Sequence, residues 1–227
     1  MSAAVEPDIR LDAIDAAISA IAAGRPVVVV DDEDRENEGD IIFAADAATP
    51  ALMGWTVRHT SGVICIPMPG SRADQLGLPP MVEENQDAKG TAYTVSCDAA
   101  TGVSTGISAA DRARTASLLA SPKSTAADFT RPGHIFPLRA VDGGVQERRG
   151  HTEASVDLCR LGGRAPVAVI AELVHDDGDM MRLPALRAFA DEYGCPLVSI
   201  EDLVAYMSAG SAEPDGIAAA AGSEGAA

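Results

Sequence analysis

Apolar residues along the chain alternate between helical spacing and short continuous runs. Between Ile9 and Ala23 they recur every three or four positions, and Gly24 follows at the place of a helix C-cap, which predicts an amphipathic helix. The run Pro26–Val30 is β-branched and has no polar interruption, which is typical of a strand buried on both faces. An acidic loop follows this strand directly.

The same alternation predicts the remaining elements. Thr49 and Ser108 are good N-caps for two of the helices, and Gly162-Gly163 closes a third. The predicted helices cover residues 50–59, 109–120, 153–161, 184–193 and 201–207, and the predicted strands cover residues 63–66, 92–97, 135–141, 167–173 and 197–200. Strands that alternate with helices predict an α/β fold (of the α+β type) with a mixed sheet flanked by helices.

Length and composition predict one domain followed by a tail. The chain has 227 residues, of which 47% are hydrophobic, enough to bury one sizeable core over residues 1–207. From Ser208 to Ala227 it consists mainly of Ala, Gly, Ser and scattered acids, which bury too little apolar surface to offset chain entropy. We expect residues 208–227 to be a disordered tail or the start of a linker.

Net charge and cysteine content limit the binding partners and the cellular compartment that we expect. A net charge of -17 disfavours binding to nucleic acid or to an acidic membrane surface, because both require clustered Lys and Arg. The N-terminus lacks the basic and apolar regions of a secretion signal, and no run is long enough to span a membrane. The four cysteines form no C-x-x-C pair. These features predict a soluble protein of the reducing cytoplasm.

The acidic loop Asp31–Asp40 contains seven carboxylates in ten residues, at the carboxyl end of a predicted buried strand. Hard divalent cations such as Mg²⁺ prefer carboxylate ligands, and Arg35 is placed to bind a phosphate or to hold a neighbouring acid. The alternative is a solvated acidic turn, which is the commoner fate of a charge run.

Two of the four histidines follow a glycine in matched settings, Gly133-His134 and Gly150-His151. A single histidine is more often structural than functional, but two Gly-His units on loops favour a site, because glycine permits close backbone approach to a ligand. His151 and Thr152 also lie at a predicted helix start, where free N–H groups favour a phosphate.

Further charged residues fit such a site. Arg148 and Arg149 add positive charge beside the predicted helix start. Glu172 ends the apolar run Val167–Ala171, so it is either a partly buried acid/base group or an exposed edge carboxylate. Together these residues describe a metal-assisted site for a phosphorylated, oxygen-rich metabolite.

Three longer segments resemble the signatures of one family. DDEDRENEGD (residues 31–40), RPGHIFPL (131–138) and GHTEASVD (150–157) are similar to those of the 3,4-dihydroxy-2-butanone 4-phosphate synthases. Supporting segments at residues 85–87, 90–94 and 105–112 follow in the family's order, so the resemblance covers about residues 10–207. Departures are mild: Ala171 stands where members often have Cys, and Lys89 where His is common.

The resemblance implies specific roles. Glu36 and His151 would be the ligands of Mg²⁺ (or Mn²⁺), and His134 and Glu172 would be catalytic. The residues that it implies for substrate binding are Arg35, Glu36, Asp40, Arg148, Arg149, Gly150, His151, Thr152 and Glu172.

The resemblance also implies a reaction and an assembly. The expected enzyme is a lyase of riboflavin biosynthesis that converts D-ribulose 5-phosphate to L-3,4-dihydroxy-2-butanone 4-phosphate and formate. We expect a homodimer with active sites close to the subunit interface. Many relatives carry a GTP cyclohydrolase II domain behind this one, and since only 20 residues follow Met207, we expect this chain to lack that activity unless it was cut from a longer protein.

Two other functions compete with this expectation. A different metal-dependent sugar-phosphate isomerase or lyase would use similar enediol chemistry but release no formate. A catalytically idle paralogue would bind a phosphorylated metabolite as a structural or regulatory partner. The presence of Glu36, His134, His151 and Glu172 argues against the idle paralogue, which would be free to lose them.

Overall fold

Residues 9–210 are described by the computed structural model, in which one mixed sheet organises the chain. Its seven strands follow the order β4-β5-β3-β6-β2-β1-β7. The strands are β1 (Val27–Val30), β2 (Gly39–Ala44), β3 (Cys65–Pro69), β4 (Cys97–Ala99), β5 (Phe129–Ala140), β6 (Ala168–Glu172) and β7 (Leu197–Ser199). The helices are α1 (Ile14–Ala22), α2 (Pro50–His59), α3 (Gly70–Gln75), α4 (Ala109–Ala120), α5 (His151–Leu161), α6 (Leu183–Tyr193) and α7 (Ile200–Gly210). The predicted fold class, a mixed sheet flanked by helices, is confirmed.

Helices cover both faces of the sheet. Along β1, Val28 and Val30 face a core that includes residues of α2, α4 and α6, whereas Val27 and Val29 face a core that includes residues of α1, α5 and α7. Successive side chains of a strand point to opposite faces, so a strand covered on both sides must be apolar at every position. This explains the uninterrupted valine run.

Strand pairing places two acids side by side. β2 runs antiparallel to β6, and the register makes Asp40 the direct partner of Glu172. β1 pairs with β2 on the other side, and its last residue, Val30, lies opposite Gly39. The segment between β1 and β2 is therefore a hairpin loop that returns beside the carboxyl end of β6.

Two helix predictions are confirmed to the residue. The Thr49 hydroxyl accepts the Leu52 N–H at 3.1 Å, and the Ser108 hydroxyl accepts the Asp111 N–H at 3.1 Å. Each side chain thus satisfies a donor that the first turn of its helix leaves free. α2 and α4 have the predicted bounds.

Other boundaries need correction. α1 begins at Ile14 and not at Ile9, because the preceding residues lie along β7, where the Asp12 N–H donates to the Leu197 carbonyl at 2.7 Å. The strand predicted over residues 92–97 is wrong: β4 starts at Cys97, and Tyr93 forms only an isolated bridge with Leu138. α3 was not predicted, and α5 starts two residues earlier than expected, at His151.

The last helix, α7, extends into the segment that was predicted to be a tail. α7 continues to Gly210, three residues beyond the expected domain boundary, and the rest of the tail lies outside the described residues. None of the helices found within residues 9–210 is long and apolar enough to cross a membrane.

Candidate active site

A polar pocket opens where β6 ends, β2 begins and α5 starts. Of the predicted site residues, six line it: Arg35, Glu36, Asp40, His151, Thr152 and Glu172. They come from three separate segments of the chain, residues 35–40, 151–152 and 172, and the antiparallel pairing of β2 with β6 brings two of those segments together. The geometry thus brings these six residues together at this edge of the sheet.

Asp31 organises the acidic loop. Its carboxylate accepts the backbone N–H groups of Glu36 at 3.0 Å and of Glu38 at 2.9 Å, and Arg35 forms an ion pair with it at 3.0 Å. Two cations from elsewhere also hold the loop: Lys89 donates to the Arg35 carbonyl, and Arg182 to the carbonyl of Asn37. These contacts direct the Glu36 side chain towards the pocket.

His151 is buried at the first position of α5, with its ring held from behind. Nε2 lies 3.1 Å from the Val29 carbonyl, so this nitrogen carries a proton and donates. Nδ1 faces the pocket, 3.7 Å from Glu36 Oε2 and 3.9 Å from Asp40 Oδ1, distances of an ion pair and not of a hydrogen bond. A backbone carbonyl that fixes one ring nitrogen while the other faces acids is the usual arrangement of a metal-binding histidine.

Burial and neighbouring charges shift the pKa values of the ionisable groups in the pocket. Burial by itself would lower the pKa of His151, but the negative charges of Asp40, Asp31 and Glu36 raise it to about 9. The interaction with His151 lowers the pKa of Glu36 to about 2, and Arg35 acts in the same direction. Burial raises the pKa of Asp40 to about 7, because His151 only partly offsets the desolvation of its carboxylate. Without a further cation, the pocket therefore stabilises the ionised form of Glu36 but holds the Asp40 carboxylate at a cost.

The donor set fits a hard divalent cation. Asp31, Glu36 and His151 each place one ligand atom within 4.8 Å of the other two. Both oxygens of Asp31 already accept hydrogen bonds from the loop, which leaves Glu36 and His151, the two ligands implied by the resemblance, to face the pocket. Asp40 Oδ1 is buried and has no hydrogen-bond partner among the described residues. A buried oxygen in this state is what a cation would satisfy.

Glu172 is half-buried at the end of β6, intermediate between the two alternatives of the sequence analysis. Its Oε2 accepts the Ser61 hydroxyl at 2.5 Å, and its backbone is paired with that of Asp40. The side chain is therefore oriented at the pocket wall while part of it stays accessible. This suits a group that exchanges protons with a bound molecule.

Residues 148–152, which the sequence analysis assigns to substrate and phosphate binding, adjoin the pocket only in part. Thr152 lines it, whereas Arg148 turns away to form an ion pair with buried Glu153 at 2.6 Å and to donate to the Lys89 carbonyl. Gly150 is the N-cap of α5, and a Cβ there would lie 3.0 Å from a Glu153 oxygen. Arg149 is exposed beside it. The segment thus offers free N–H groups at a helix start, with Arg149 as the nearby accessible cation.

His134 is the predicted site residue that lies apart. It does not line the pocket; its Nδ1 is 2.6 Å from Asp98 Oδ2, and its backbone N–H donates to Asp98 Oδ1 at 2.9 Å. The His134 side chain is 41% exposed, so the ring edge opposite Asp98 faces outward. Within one described chain, the structure does not bring this histidine to the other site residues.

Sequence reasoning missed several residues of the pocket. Cys65, Thr91 and Tyr93 line it, and Asp31 organises its loop. Asp31 and Glu38 both belong to the acidic run that the sequence singles out; Glu38 also lines the pocket, and the Asp31 carboxylate accepts its backbone N–H. Cys65 and Tyr93 reach the pocket through strand pairing, for which the sequence carries no local signal.

Comparison with known proteins agrees with this geometry. The family model of 3,4-dihydroxy-2-butanone 4-phosphate synthase matches residues 15–206. Riboflavin biosynthesis protein RibBA of Rhodococcus erythropolis is 58% identical over 199 residues, which are 87% of this chain and 47% of that protein. The corresponding protein of Mycobacteroides abscessus is 59% identical over 87% of this chain and 48% of its own length. The chain thus spans about half the length of these curated relatives.

Two solved structures are also similar to this chain. A crystal structure of 3,4-dihydroxy-2-butanone 4-phosphate synthase in complex with two magnesium ions is 47% identical, with a TM-score of 0.86, and the match covers 88% of this chain and 99% of that one. A two-domain synthase from A. baumannii, RibBX, is 40% identical with a TM-score of 0.82, and the match covers 86% of this chain and 57% of that one. With sequence, fold and pocket in agreement, the chain belongs to the 3,4-dihydroxy-2-butanone 4-phosphate synthase family.

Proposed function

We propose that this protein is a lyase of riboflavin biosynthesis that converts D-ribulose 5-phosphate to L-3,4-dihydroxy-2-butanone 4-phosphate and formate. Family membership supports the reaction, and one observation about the pocket carries it furthest. Glu36, Asp40, His151 and Glu172 converge there, and Asp40 Oδ1 has no partner among the described residues. Such a pocket needs a cation and polar substrate atoms to complete it.

Glu36 and His151 would hold Mg²⁺ (or Mn²⁺). The bound ion would supply positive charge against the negative charge that develops on neighbouring substrate oxygens during enolisation. One of the similar solved structures is described as a complex with two magnesium ions, which supports magnesium as the metal of this family.

The protein's own groups orient the sugar phosphate. The start of α5, with Gly150, Thr152 and the exposed Arg149, suits the phosphate, because free N–H groups and positive charge meet there. Arg35 is already paired with Asp31 and Glu36, so it positions carboxylates as well as meeting substrate. Asp40 and Glu172 lie where hydroxyl groups of the sugar would reach them.

The proposed chemistry begins with removal of the proton at C3, which converts the ketose to an enediol. Loss of the C1 hydroxyl, rearrangement of the carbon skeleton and release of C4 as formate follow. Glu172 and the carboxylates of Asp40 and Glu38 are the proton carriers that line the pocket. Burial raises the pKa of Glu38, with Glu36 and Glu172 acting the same way, which brings this group nearer the range of a working acid.

A homodimer gives the distant histidine a role. His134 does not line the pocket of its own chain, and its exposed ring edge is free to meet a second copy. In a symmetric dimer each subunit presents the same surface to its partner, so His134 of one subunit would complete the pocket of the other. The proposed enzyme therefore has two active sites at the subunit interface. The four cysteines are buried free thiols, which suits the proposed cytoplasmic setting.

The direct test is formate release from D-ribulose 5-phosphate by the purified full chain, with Mg²⁺ and with EDTA. The proposal predicts metal-dependent formate in the wild type and none in Glu36→Ala or His151→Ala. Glu33→Ala, which removes an exposed acid from the same loop, is the matched control and should retain full turnover. Conversion of the substrate without formate would indicate an isomerase, and no conversion by folded, metal-loaded protein would indicate an idle paralogue.

A further inference from the structure

The Asp98 carboxylate is nearly buried, at 7% exposure, and both of its oxygens bind the same residue. Oδ1 accepts the backbone N–H of His134 at 2.9 Å, and Oδ2 lies 2.6 Å from the His134 ring at Nδ1. Asp98 therefore fixes the backbone and the ring of this histidine at once. None of the motifs of the sequence analysis includes Asp98, and it does not line the acidic pocket.

An irregularity in the sheet produces this pair. β4 and β5 are in register at Cys97 with Ile135, but at the next residue the register shifts, so that Asp98 lies opposite Thr130. Residues 131–134 thus bulge from β5 beside Asp98. Gly133 makes the bulge possible, because a Cβ on it would overlap the backbone of Cys97 and Asp98.

A second glycine covers the carboxylate. Gly106 has a φ of +97°, and a Cβ there would overlap Asp98 Oδ2 and lie 2.8 Å from His134 Nδ1. Its N–H donates to Asp111 at 3.1 Å, which holds this loop closed over the pair. The packing therefore confines the Asp98 carboxylate and the edge of the imidazole that faces it.

We propose that Asp98 is a positioning residue that fixes His134 as the Nδ1–H tautomer, so that Nε2 is the atom that exchanges protons with substrate. An ionised carboxylate only accepts hydrogen bonds, so the ring nitrogen that faces it must carry the proton. In the neutral ring Nε2 then has the free lone pair, on the exposed edge away from Asp98. The negative charge of Asp98 also stabilises the imidazolium that forms when Nε2 takes a proton, as in other Asp–His pairs.

This inference rests on the proposed function, since His134 needs a reaction in which to act. The decisive variant is Asp98→Asn. Its Oδ1 can still accept the His134 backbone N–H, which places the amide NH₂ against Nδ1. An NH₂ group donates, so the ring must shift its proton to Nε2, the tautomer that cannot accept a proton from substrate.

Two readouts of the full chain test the proposal. By ¹⁵N NMR, His134, assigned by the loss of its signals in His134→Gln, should be the Nδ1–H tautomer in the wild type and the Nε2–H tautomer in Asp98→Asn. For formate release, kcat should fall about a hundredfold or more in Asp98→Asn while KM and Mg²⁺ affinity change less than about threefold. Asp157→Asn is the matched control, because Asp157 is also a buried acceptor of a backbone N–H, that of Val145, and has no histidine partner. We expect its kcat to stay within about threefold of wild type.

Either of two results would overturn the proposal: an Nε2–H tautomer of His134 in the wild type, or a kcat for Asp98→Asn close to that of the wild type. If Asp98→Asn fails to fold, the tautomer of His134 in the wild type is sufficient to decide the proposal. A wild type that releases no formate would refute the proposed function, whereas the NMR result would still decide whether Asp98 fixes the ring.

Discussion

The acidic pocket and the Asp98–His134 pair show how differently one sheet can hold ionisable groups. In the pocket, acids from the loop after β1, from β2 and from β6 crowd around one histidine, and Asp40 Oδ1 has no partner among the described residues. In the pair, one carboxylate uses both oxygens on one residue, and the histidine has an exposed edge. The pocket therefore requires something to enter it, whereas the pair is complete and presents a group outward. We interpret the first as the metal and substrate site and the second as a proton carrier for the other subunit.

The largest expected effects are losses of formate release, and Mg²⁺ affinity should distinguish variants of the acidic pocket from variants of the Asp98–His134 pair. Glu36→Ala and His151→Ala each remove a proposed ligand, so they should abolish formate release and weaken Mg²⁺ binding by about a hundredfold or more. His134→Ala should also lose formate release but should bind Mg²⁺ like the wild type. Isothermal titration with Mg²⁺ beside the formate assay measures both. Loss of metal affinity in His134→Ala, with the fold intact, would contradict the division into two regions.

Mixed dimers test whether His134 acts in the partner's pocket. Neither Glu36→Ala nor His134→Ala alone should be active, but a heterodimer would have one pocket with both residues intact. After unfolding and refolding an equal mixture, half of the dimers are mixed and each has one working site, so activity should recover to about one quarter of wild type. Each variant refolded alone is the control. If the mixture stays inactive while heterodimers form, His134 acts within its own chain.

Asp40 should make the metal-free pocket unstable in a way that depends on pH. Its pKa is raised from 3.8 to about 7 in the folded protein, so the native state keeps a proton that the unfolded chain releases. The free energy of unfolding therefore falls as the pH rises from 3.8 through about 7. In EDTA, the Tm of Asp40→Asn should exceed that of wild type by a margin that grows across this window, to at least about 3 °C at pH 7.5. An unchanged margin from pH 4 to 7.5 would show that Asp40 is not strained.

Cys65 should matter least of the pocket residues. It is 3% exposed, and burial raises the pKa of its thiol, so it is neither a thiolate nucleophile nor a base at neutral pH. Cys65→Ala should lower kcat less than about threefold and the free energy of unfolding by about 1 kcal/mol, the cost of a small cavity. Formate assays and urea unfolding measure the two effects. A loss of activity comparable to that of Glu36→Ala would show that the thiol takes part in the reaction.

The sequence predicted the pocket better than the pair, for a physical reason. The valine run, the acids of the loop and Gly150-His151 are local signals. The prediction of a site there requires only that ligand sites of α/β folds lie at the carboxyl ends of strands. Asp98 could not be found in this way. Its contact with His134 depends on a register shift between β4 and β5, in a region where the sequence predicted a strand over residues 92–97 that the structure does not have.

Some predicted helix and strand boundaries were wrong for the same reason, which is that contacts between residues far apart in the sequence decide them. Leu11 lies in step with the apolar face of α1, but α1 starts at Ile14, because the Asp12 carboxylate binds the Leu197 N–H at 2.9 Å and Arg187 as well. A contact with a residue 185 positions away overrides the local preference for a longer helix. Caps such as Thr49 and Ser108 were predicted correctly because their partners are three residues away.

The measurement that tests the central claim most directly follows one carbon atom. The full chain is incubated with D-ribulose 5-phosphate labelled with ¹³C at C4, in the presence of Mg²⁺, and the products are identified by ¹³C NMR. The account predicts that the label appears in formate, in equal amount to an unlabelled four-carbon ketose phosphate. Label that stays in a five-carbon sugar phosphate, or substrate that remains unchanged with folded, metal-loaded protein, would contradict it.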